Sequence, residues 1–394
     1  MKSIRKFRAR RFSGMSWRGK FGLGVAAIVG LTALAAFEFW HRPADRYRET
    51  SRFTFSLAGN PVDVDTETRP GFVLEGGGTD IDDSFSWMID RSGGGDFVVI
   101  RTSGTDAYNP YILGMTSPEG RCADSVSTLV FREREASFDP FVIDTLKHAE
   151  AVWIAGGDQA RHVAFWRNTP VVQAIENLAH RGVPIGGTSS GLAILGEYVY
   201  SAETDRASTP HLFSESALRD PCQERITLRK DVLHLPVFEG MLLDPHFLQE
   251  SRHGRMAAFL SRIVKNGWSG APRGLGIDAR TALLVEPNGR SRVITHPEHP
   301  SGSAILFEMA DSPEVCESGS ALTARGIRLQ EFRSGDELDL SAWNGEQAHE
   351  ARLSVENGLI CLDDGPETSP PSAVSLIATS LIATQETTAD DGTR

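Results

Sequence analysis

The residues best suited to covalent chemistry lie at 186–191, where GGTSSG follows the apolar run VPI. A G-x-S-x-G run between a strand and a helix forms a nucleophile elbow, a tight turn that lifts a strained serine clear of its sheet. Ser189 is therefore the candidate nucleophile, and we expect its backbone torsions to be unusual for a residue other than glycine. The N–H of Ser190 would point at a developing oxyanion, and the apolar LAILGE would begin the helix. A plain loop rich in glycine and serine is the alternative interpretation.

A serine nucleophile needs a base, and His246 in the sequence DPHF is the candidate. The alternative is a surface histidine in a turn. Asp244 and His253 would also suit a metal site, but the HExxH spacing is absent. The sequence therefore implies neither a metal nor an organic cofactor.

A second glycine-rich turn, GGDQ at 156–159, follows the strand-like run AVWIA. Small residues let backbone N–H groups approach a substrate oxygen, so Gly157 is a candidate oxyanion donor beside Ser190. Gln159 could hold a polar group of the substrate. Asp158 is a candidate substrate contact, although capping the following helix would explain an aspartate here equally well.

A third glycine-rich run, GGGTD at 76–80, resembles a phosphate-cradling loop. It lacks both the G-x-G-x-x-G spacing and the Walker lysine, so the sequence does not favour a nucleotide site. We place Gly77 in the substrate pocket instead.

Short apolar runs alternate with amphipathic stretches from residue 71 onward, and this alternation predicts the elements that position these turns. The strand-like runs are FVLEGG, DFVVIRTSG, STLVF, AVWIAGG and VPIGGTSSG. Alternation of this kind predicts an α/β fold with a doubly wound, mostly parallel sheet. Ligands bind such sheets at the carboxyl ends of the strands, where the glycine-rich turns lie. The later runs TALLVE, SRVIT and SAILFEM predict antiparallel strands that close the sheet.

The amino-terminal 20 residues differ from the rest of the chain, because they hold eight Lys and Arg residues and no acid. The apolar run FGLGVAAIVGLTALAAF follows at 21–37. We divide this region into a basic cytoplasmic segment, 1–20, and a signal anchor or signal peptide, 21–40. Basic residues before the run would keep that end in the cytoplasm. The remainder would then be anchored at the inner membrane and face the periplasm, or be secreted after cleavage; a buried core helix is the weaker alternative.

Composition sets further limits. The formal net charge of −12 argues against a nucleic-acid partner. The four cysteines are far apart and could form disulfides in an exported protein. We divide the rest of the chain into a linker at 41–70, a catalytic domain at 71–359 and a disordered tail at 365–394.

Taken in order, EGGGTD, IAGGDQ, GGTSSG, DPHF with R-x-x-R, and GLGID before TALLVE resemble the cyanophycinases and the related aspartyl dipeptidases. The late segment GSALTARGIRLQEFRSGDELDL resembles the end of longer cyanophycinases, so the resemblance covers about residues 70–345. These proteins are serine peptidases on a fold like that of class-I glutamine amidotransferases. The resemblance implies Ser189 as nucleophile, His246 as base, Gly157 and Ser190 as oxyanion donors and Gln159 in the substrate pocket.

The sequence departs from this family at the acid that orients the histidine. Cyanophycinases carry a glutamate directly after the aspartate of GIGID, and here that position is Ala279. Asp278 is our candidate third catalytic residue, although neighbouring side chains on an extended segment point to opposite faces. Glu203 or Asp205, on the loop after the elbow, could substitute for it.

A second departure lies four residues after His246, where the resemblance implies an arginine that grips an aspartyl carboxylate. Glu250 stands there, while Arg252 and Arg255 remain, and we place Arg252 in the substrate site. Charge reversal at this position would repel an acidic substrate. Cyanophycin itself is therefore not the expected substrate.

Three functions remain open. The first is an exported serine peptidase or amidohydrolase acting on a small peptide or isopeptide. The second is a catalytically degenerate relative that binds a small ligand or a partner protein, and a homodimer is a candidate assembly for either. The third, an esterase of the α/β-hydrolase type, would need an HGGG-type loop, which the sequence lacks.

Overall fold

The computed structural model of this chain describes residues 46–204 and 211–363. The predicted segments at 1–20 and 21–40, the predicted tail at 365–394 and Asp205 lie outside the described residues. Within the two described ranges, no helix is both long enough and apolar enough to cross a membrane.

The strands of the described residues are β1 (Tyr47–Glu49), β2 (Phe53–Gly59), β3 (Phe72–Glu75), β4 (Asp96–Arg101), β5 (Ser125–Phe131), β6 (Ala151–Ile154), β7 (Ile185–Thr188), β8 (Val199–Tyr200), β9 (Leu228–Arg229), β10 (Met241–Asp244), β11 (Arg273–Ile277), β12 (Thr281–Val285), β13 (Arg290–Thr295), β14 (Ser303–Glu308), β15 (Ala324–Arg333), β16 (Glu337–Asp339), β17 (His349–Glu356) and β18 (Leu359–Asp363). The helices are α1 (Asp82–Arg91), α2 (Tyr108–Leu113), α3 (Pro140–Lys147), α4 (Gln159–Trp166), α5 (Pro170–His180), α6 (Ser190–Ala193), α7 (Ser214–Arg219) and α8 (His253–Lys265). Two short 3₁₀ turns occupy Arg134–Phe138 and Pro236–Phe238.

A ten-stranded sheet of the described residues has the order β1-β2-β5-β4-β6-β7-β3-β12-β13-β16. The strands from β5 to β3 pair in parallel, because helices α1 to α5 supply the crossovers that parallel strands require. Successive residues of β6, Val152 and Trp153, enter different apolar clusters, so helices cover both faces. The predicted α/β fold, with a parallel central sheet and antiparallel C-terminal strands, is confirmed.

The region predicted as a linker at 41–70 instead contributes two strands, β1 and β2, to one edge of this sheet. The alternating residues Phe53 and Phe55 explain the difference, because both are buried in the main core. Alternation of apolar and polar residues over 53–57 is typical of a half-buried strand.

A second sheet, of six described strands, has the order β10-β11-β14-β15-β17-β18. The antiparallel C-terminal strands therefore divide between two sheets: β12, β13 and β16 extend the main sheet, and the others build the second one. The chain passes between the sheets in the short turn from β11 to β12, where Arg280 has a φ of 60°. Helix α8 packs on the second sheet through Met256 and Phe259.

Cys222 and Cys316 lie close together, although no disulfide joins them. All four are free thiols, and the Cys222 thiol lies 3.5 Å from the backbone oxygen of Cys316. Cys122 and Cys361 are exposed.

Candidate active site

The turn between β7 and α6 holds Ser189 in a strained conformation. Its φ of 54° and ψ of −122° lie outside the regions that residues other than glycine favour. The Ser189 N–H donates to the carbonyl of Glu75, 3.0 Å away at the end of β3. A Cβ atom at Gly191 would lie 2.0 Å from the Ile154 carbonyl oxygen, so only glycine lets the helix approach the sheet this closely. These features form the elbow that the sequence predicts.

His246 reaches the same place from the second sheet. It follows the end of β10, has a φ of 46°, and its N–H donates to the Gly76 carbonyl at 2.9 Å. Its Nε2 atom lies 2.9 Å from the Ser189 Oγ atom, which is hydrogen-bond distance. Burial, and then the charge of Arg252, hold the pKa of His246 below its usual value. The imidazole is therefore neutral at pH 7 and can accept a proton from the serine hydroxyl.

Two glycine turns enclose this pair. Gly77 has a φ of 94°, and a Cβ atom there would lie 2.3 Å from His246 Cε1. A Cβ atom at Gly156 would lie 3.2 Å from the Ser189 Cβ. Because each turn lies against one of the two side chains, both positions need a residue without a side chain.

Each expected oxyanion donor adjoins, along the chain, a residue at the nucleophile turn. Ser190 follows Ser189 directly and begins α6, so its N–H is one of the free donors of the helix amino terminus. Gly157 follows the turn that packs against Ser189. The Ser190 hydroxyl is buried without a hydrogen-bond partner among the described residues.

Asp278, expected among the catalytic residues, has a different role. Its Oδ1 accepts from Leu248 N–H at 2.9 Å, and its Oδ2 accepts from the Ser303 N–H at 2.9 Å and hydroxyl at 3.1 Å. Burial raises the pKa of this carboxyl to about 6, against the opposing effect of these hydrogen bonds. Asp278 therefore braces the loop after His246 against β14 and makes no hydrogen bond to the imidazole.

Glu203, one of the two expected substitutes for the orienting acid, is bound elsewhere, and the other, Asp205, lies outside the described residues. The Glu203 carboxylate accepts from Arg229 Nε at 2.8 Å and from the Ser201 hydroxyl at 2.9 Å. Ala279 donates its N–H to the Gln249 side chain at 2.9 Å. Among the described residues, no carboxylate is hydrogen-bonded to the His246 ring.

The expected substrate residues at 158–159 are largely occupied. Asp158 caps α4 by accepting from the Arg161 N–H at 3.2 Å, and Gln159 donates its amide to the Tyr200 carbonyl. In this structure both side chains therefore stabilise the start of α4 and the loop after the elbow.

Arg252, which we place in the substrate site, is engaged by protein groups in this structure. Its side chain is 9% exposed, and its guanidinium donates to Asp244 at 3.0 Å, to the Pro245 carbonyl at 2.8 Å and to Glu250 at 3.0 Å. Arg255 binds the other oxygen of Asp244 at 2.9 Å. His253 packs its buried ring against Phe307 and Phe247, and no group of three potential metal ligands occurs in the described ranges.

Sequence reasoning missed the buried carboxyl of Glu75, which lies beneath the elbow. Glu75 is fully buried, and its Oε1 is 3.5 Å from the Thr188 hydroxyl. Burial, and then the charge of Asp80, raise its pKa well above the usual value. The EGGGTD run indicated an acid beside a glycine turn, but only the fold shows that this acid is buried.

Comparison with known proteins relates this site to a family. The profile of peptidase family S51 matches residues 130–292, which include Ser189 and His246. Cyanophycinases from Trichormus variabilis and a Nostoc species are 26% identical over 227 residues, which is 55% of this chain and 66% of each relative. The cyanophycinase of Synechococcus elongatus is 26% identical over 216 residues, 54% of this chain and 59% of the relative. The chain thus spans less than two thirds of the length of these relatives.

Two solved structures show weaker similarity. A peptidase from an acI-B1 actinobacterium aligns with a TM-score of 0.43 and 15% identity, over 69% of this chain and 98% of that one. A peptidase E protein from Listeria monocytogenes, described as putative, aligns with a TM-score of 0.35 and 13% identity, over 57% of this chain and 97% of that one.

Proposed function

We propose that this chain, which matches the profile of peptidase family S51 over residues 130–292 and is similar to cyanophycinases, is a serine-type peptidase or amidohydrolase. Ser189 is the nucleophile, His246 is the base, and the substrate is a small peptide or isopeptide. The observation that carries this proposal is the 2.9 Å contact between Ser189 Oγ and His246 Nε2 at a strained strand-to-helix turn.

The geometry supports an acyl-transfer mechanism. Ser189 Oγ attacks the scissile carbonyl while its proton passes to His246 Nε2. The N–H groups of Ser190 and Gly157 stabilise the oxyanion of the tetrahedral intermediate. The imidazolium then protonates the leaving amine, and water activated by the same histidine hydrolyses the acyl-enzyme.

The described part of the chain supplies a dyad for this chemistry, because no described carboxylate is hydrogen-bonded to the His246 ring. Replacing the orienting aspartate of the best-studied triad lowers kcat by about four orders of magnitude. We therefore expect slow turnover. The same feature favours the second candidate function, a ligand-binding relative that retains the fold without hydrolysis.

Labelling with a fluorophosphonate distinguishes the two functions. The purified protein should become labelled at Ser189, as located by peptide mapping, and Ser189→Ala should abolish labelling. Ser341→Ala removes an exposed serine in the turn after β16 and should label like the wild type. Absence of labelling at Ser189 would remove the enzyme proposal and leave the ligand-binding one.

We also propose that the catalytic domain is exported, held at the inner membrane or released after cleavage. The proposal rests on the basic residues at 1–20 and the apolar run at 21–37. A reporter that folds only in the periplasm, fused after Leu359, should be active, and a cytoplasmic one should not. The reverse result would place the catalytic domain in the cytoplasm.

A further inference from the structure

Two cysteines that are 94 residues apart in the sequence meet beside the second sheet, where the Cys222 thiol donates to the Cys316 carbonyl at 3.5 Å. Cys316 is buried in the apolar cluster of this sheet, and the half-buried Cys222 packs against the same cluster. A disulfide joins cysteines whose Cα atoms are about 4.4–6.8 Å apart, so a sulfur in contact with its partner's backbone is within reach of one. Four cysteines allow three pairings, and this contact selects one of them.

The end of helix α8 holds both cysteine segments in place. The Arg262 guanidinium donates at 2.9 Å to the carbonyl of Pro221, the residue before Cys222. One turn later, Lys265 Nζ donates to the Cys316 carbonyl at 2.6 Å. The two segments are therefore fixed next to each other by contacts that do not involve the sulfur atoms.

A backbone hydrogen bond joins the same two parts of the chain. The Leu322 N–H, in the loop between β14 and β15, donates at 2.8 Å to the carbonyl of Leu218 in α7. Cross-linking Cys222 to Cys316 would thus reinforce an existing contact rather than create a new one.

The two thiols differ in access to solvent. Cys222 is half-buried, whereas Cys316 is buried. Burial, and then the neighbouring Cys222 thiol, raise the pKa of Cys316, against the opposing charges of Arg262 and Lys265. Since the thiolate is the reactive form, an oxidant from solution should meet Cys222 first.

We propose that Cys222 and Cys316 are an oxidative modification site, at which a disulfide joins the segment after α7 to the loop between β14 and β15. The oxidant is a disulfide such as glutathione disulfide. The Cys222 thiolate attacks one of its sulfurs and releases one glutathione thiolate, and the Cys316 thiolate then attacks the Cys222 sulfur and releases the second. The cysteine pair loses two electrons, the oxidant gains them, and the two cysteine protons pass to the departing glutathione thiolates.

This bond would support the part of the molecule that holds the loop after His246. The Ser214 hydroxyl, at the start of α7, donates to the Ser251 carbonyl at 2.6 Å and accepts from the Arg255 N–H at 3.1 Å. The inference goes beyond the proposed catalytic function and does not depend on it. It agrees with the proposed export, because disulfides persist in oxidising compartments.

Oxidation of the purified full-length protein tests the proposal. The double variant Cys122→Ser/Cys361→Ser removes the two exposed thiols, so that only Cys222 and Cys316 remain. After reduction, removal of the reductant and incubation with glutathione disulfide, its mass should fall by two hydrogen atoms, and peptide mapping should find Cys222 joined to Cys316. Its thermal midpoint should rise by about 5 °C relative to the reduced form, because a bond across so long a loop restricts the unfolded chain.

Comparison of two redox forms of one chain needs no substitution within the pair, so the result does not depend on whether a cysteine variant folds. Cys222→Ser and Cys316→Ser, each added to the double variant, should lose both the linked peptide and the rise in thermal midpoint.

Each outcome decides the proposal. Thiols that stay free, or that carry only glutathione, would overturn the modification site. A linked pair without a rise in the thermal midpoint would overturn its stabilising role. Labelling of Ser189 plays no part in this test, so a failure of the proposed catalytic function would leave the result unchanged.

Discussion

The two members of the candidate catalytic pair are held by different physical means. Ser189 lies on the parallel sheet, where backbone hydrogen bonds and close glycine contacts fix it in a strained turn. His246 follows a strand of the second sheet, and besides its backbone hydrogen bond to Gly76, carboxylate and guanidinium side chains hold the loop that follows it. Backbone geometry tolerates little change in residue size, whereas a charge network tolerates exchange of its members if every buried charge stays paired.

This difference agrees with the two positions at which the sequence departs from the pattern that its resemblance to cyanophycinases implies. The elbow carries the glycines that its turn needs, and at Ser190 the functional group is the backbone N–H rather than the side chain. The departures at Ala279 and Glu250 both lie in the segments around His246, where charged side chains hold the loop. Exchange of polar groups there could change the substrate and the rate without changing the fold.

The largest effect should follow from adding a methyl group at Gly77. Gly77→Ala brings a Cβ atom to 2.3 Å from His246 Cε1 and should displace the imidazole. We expect the labelling rate at Ser189 to fall about 100-fold, because small misplacements of catalytic groups cost this much. Gly120→Ala is a matched control: its φ of 78° carries similar strain, but its Cβ would have no neighbour within 4 Å. If Gly77→Ala and Gly120→Ala lower the labelling rate equally, backbone strain, and not the contact with His246, causes the loss.

Restoring the orienting acid should act in the opposite direction. Ala279→Glu should raise hydrolysis or labelling about 10- to 100-fold by fixing the tautomer of His246, a fraction of what the acid contributes in the best-studied triad. Ala279→Gln supplies the same bulk without the charge and should have a smaller effect. An unchanged rate in Ala279→Glu, together with a lower rate in Glu203→Ala or Asp205→Ala, would show that the loop after the elbow already provides the acid.

Asp278 should affect stability rather than chemistry. Its folded pKa of about 6 is above its unfolded value of 3.8, so protonation favours the folded state. This contribution is fully present below pH 3.8 and is lost as the pH rises through about 6. The free energy of unfolding of the wild type, relative to Asp278→Asn, should fall over this window by up to about 3 kcal/mol. A pH-independent difference between the two proteins would contradict the raised pKa.

The smallest effect concerns the pH dependence of labelling. Burial and Arg252 lower the pKa of His246, while the charge of Glu250 raises it. The labelling rate should therefore rise with pH, and the midpoint of this rise should lie below 6.5, the ordinary pKa of histidine. Glu250→Gln removes the charge that raises the pKa, so the midpoint should move lower, by less than about one pH unit. A shift to higher pH would mean that Glu250 does not act on the imidazole through its charge.

Much of the fold and half of the site could be predicted from local sequence. The continuous apolar runs identify the parallel strands, because strands covered on both faces need no alternation. The glycines around Ser189 identify the elbow, because the turn is defined within six residues. The strands at 47–59 were missed because their polar flanks resemble a linker, although Phe53 and Phe55 alternate.

The pairing of distant polar groups was decided by tertiary structure alone. Sequence can place Asp278, Glu203 and Arg252 near the site, but not the partner that each one binds. Asp278 satisfies two backbone N–H groups, Glu203 pairs with Arg229, and Arg252 is buried against Asp244. The amino-acid sequence determined which groups were available near the nucleophile. Only the packing of the two sheets decided which partner each of these groups binds. A charged side chain that is buried away from water must be paired, and the fold determines which group lies close enough to pair with it.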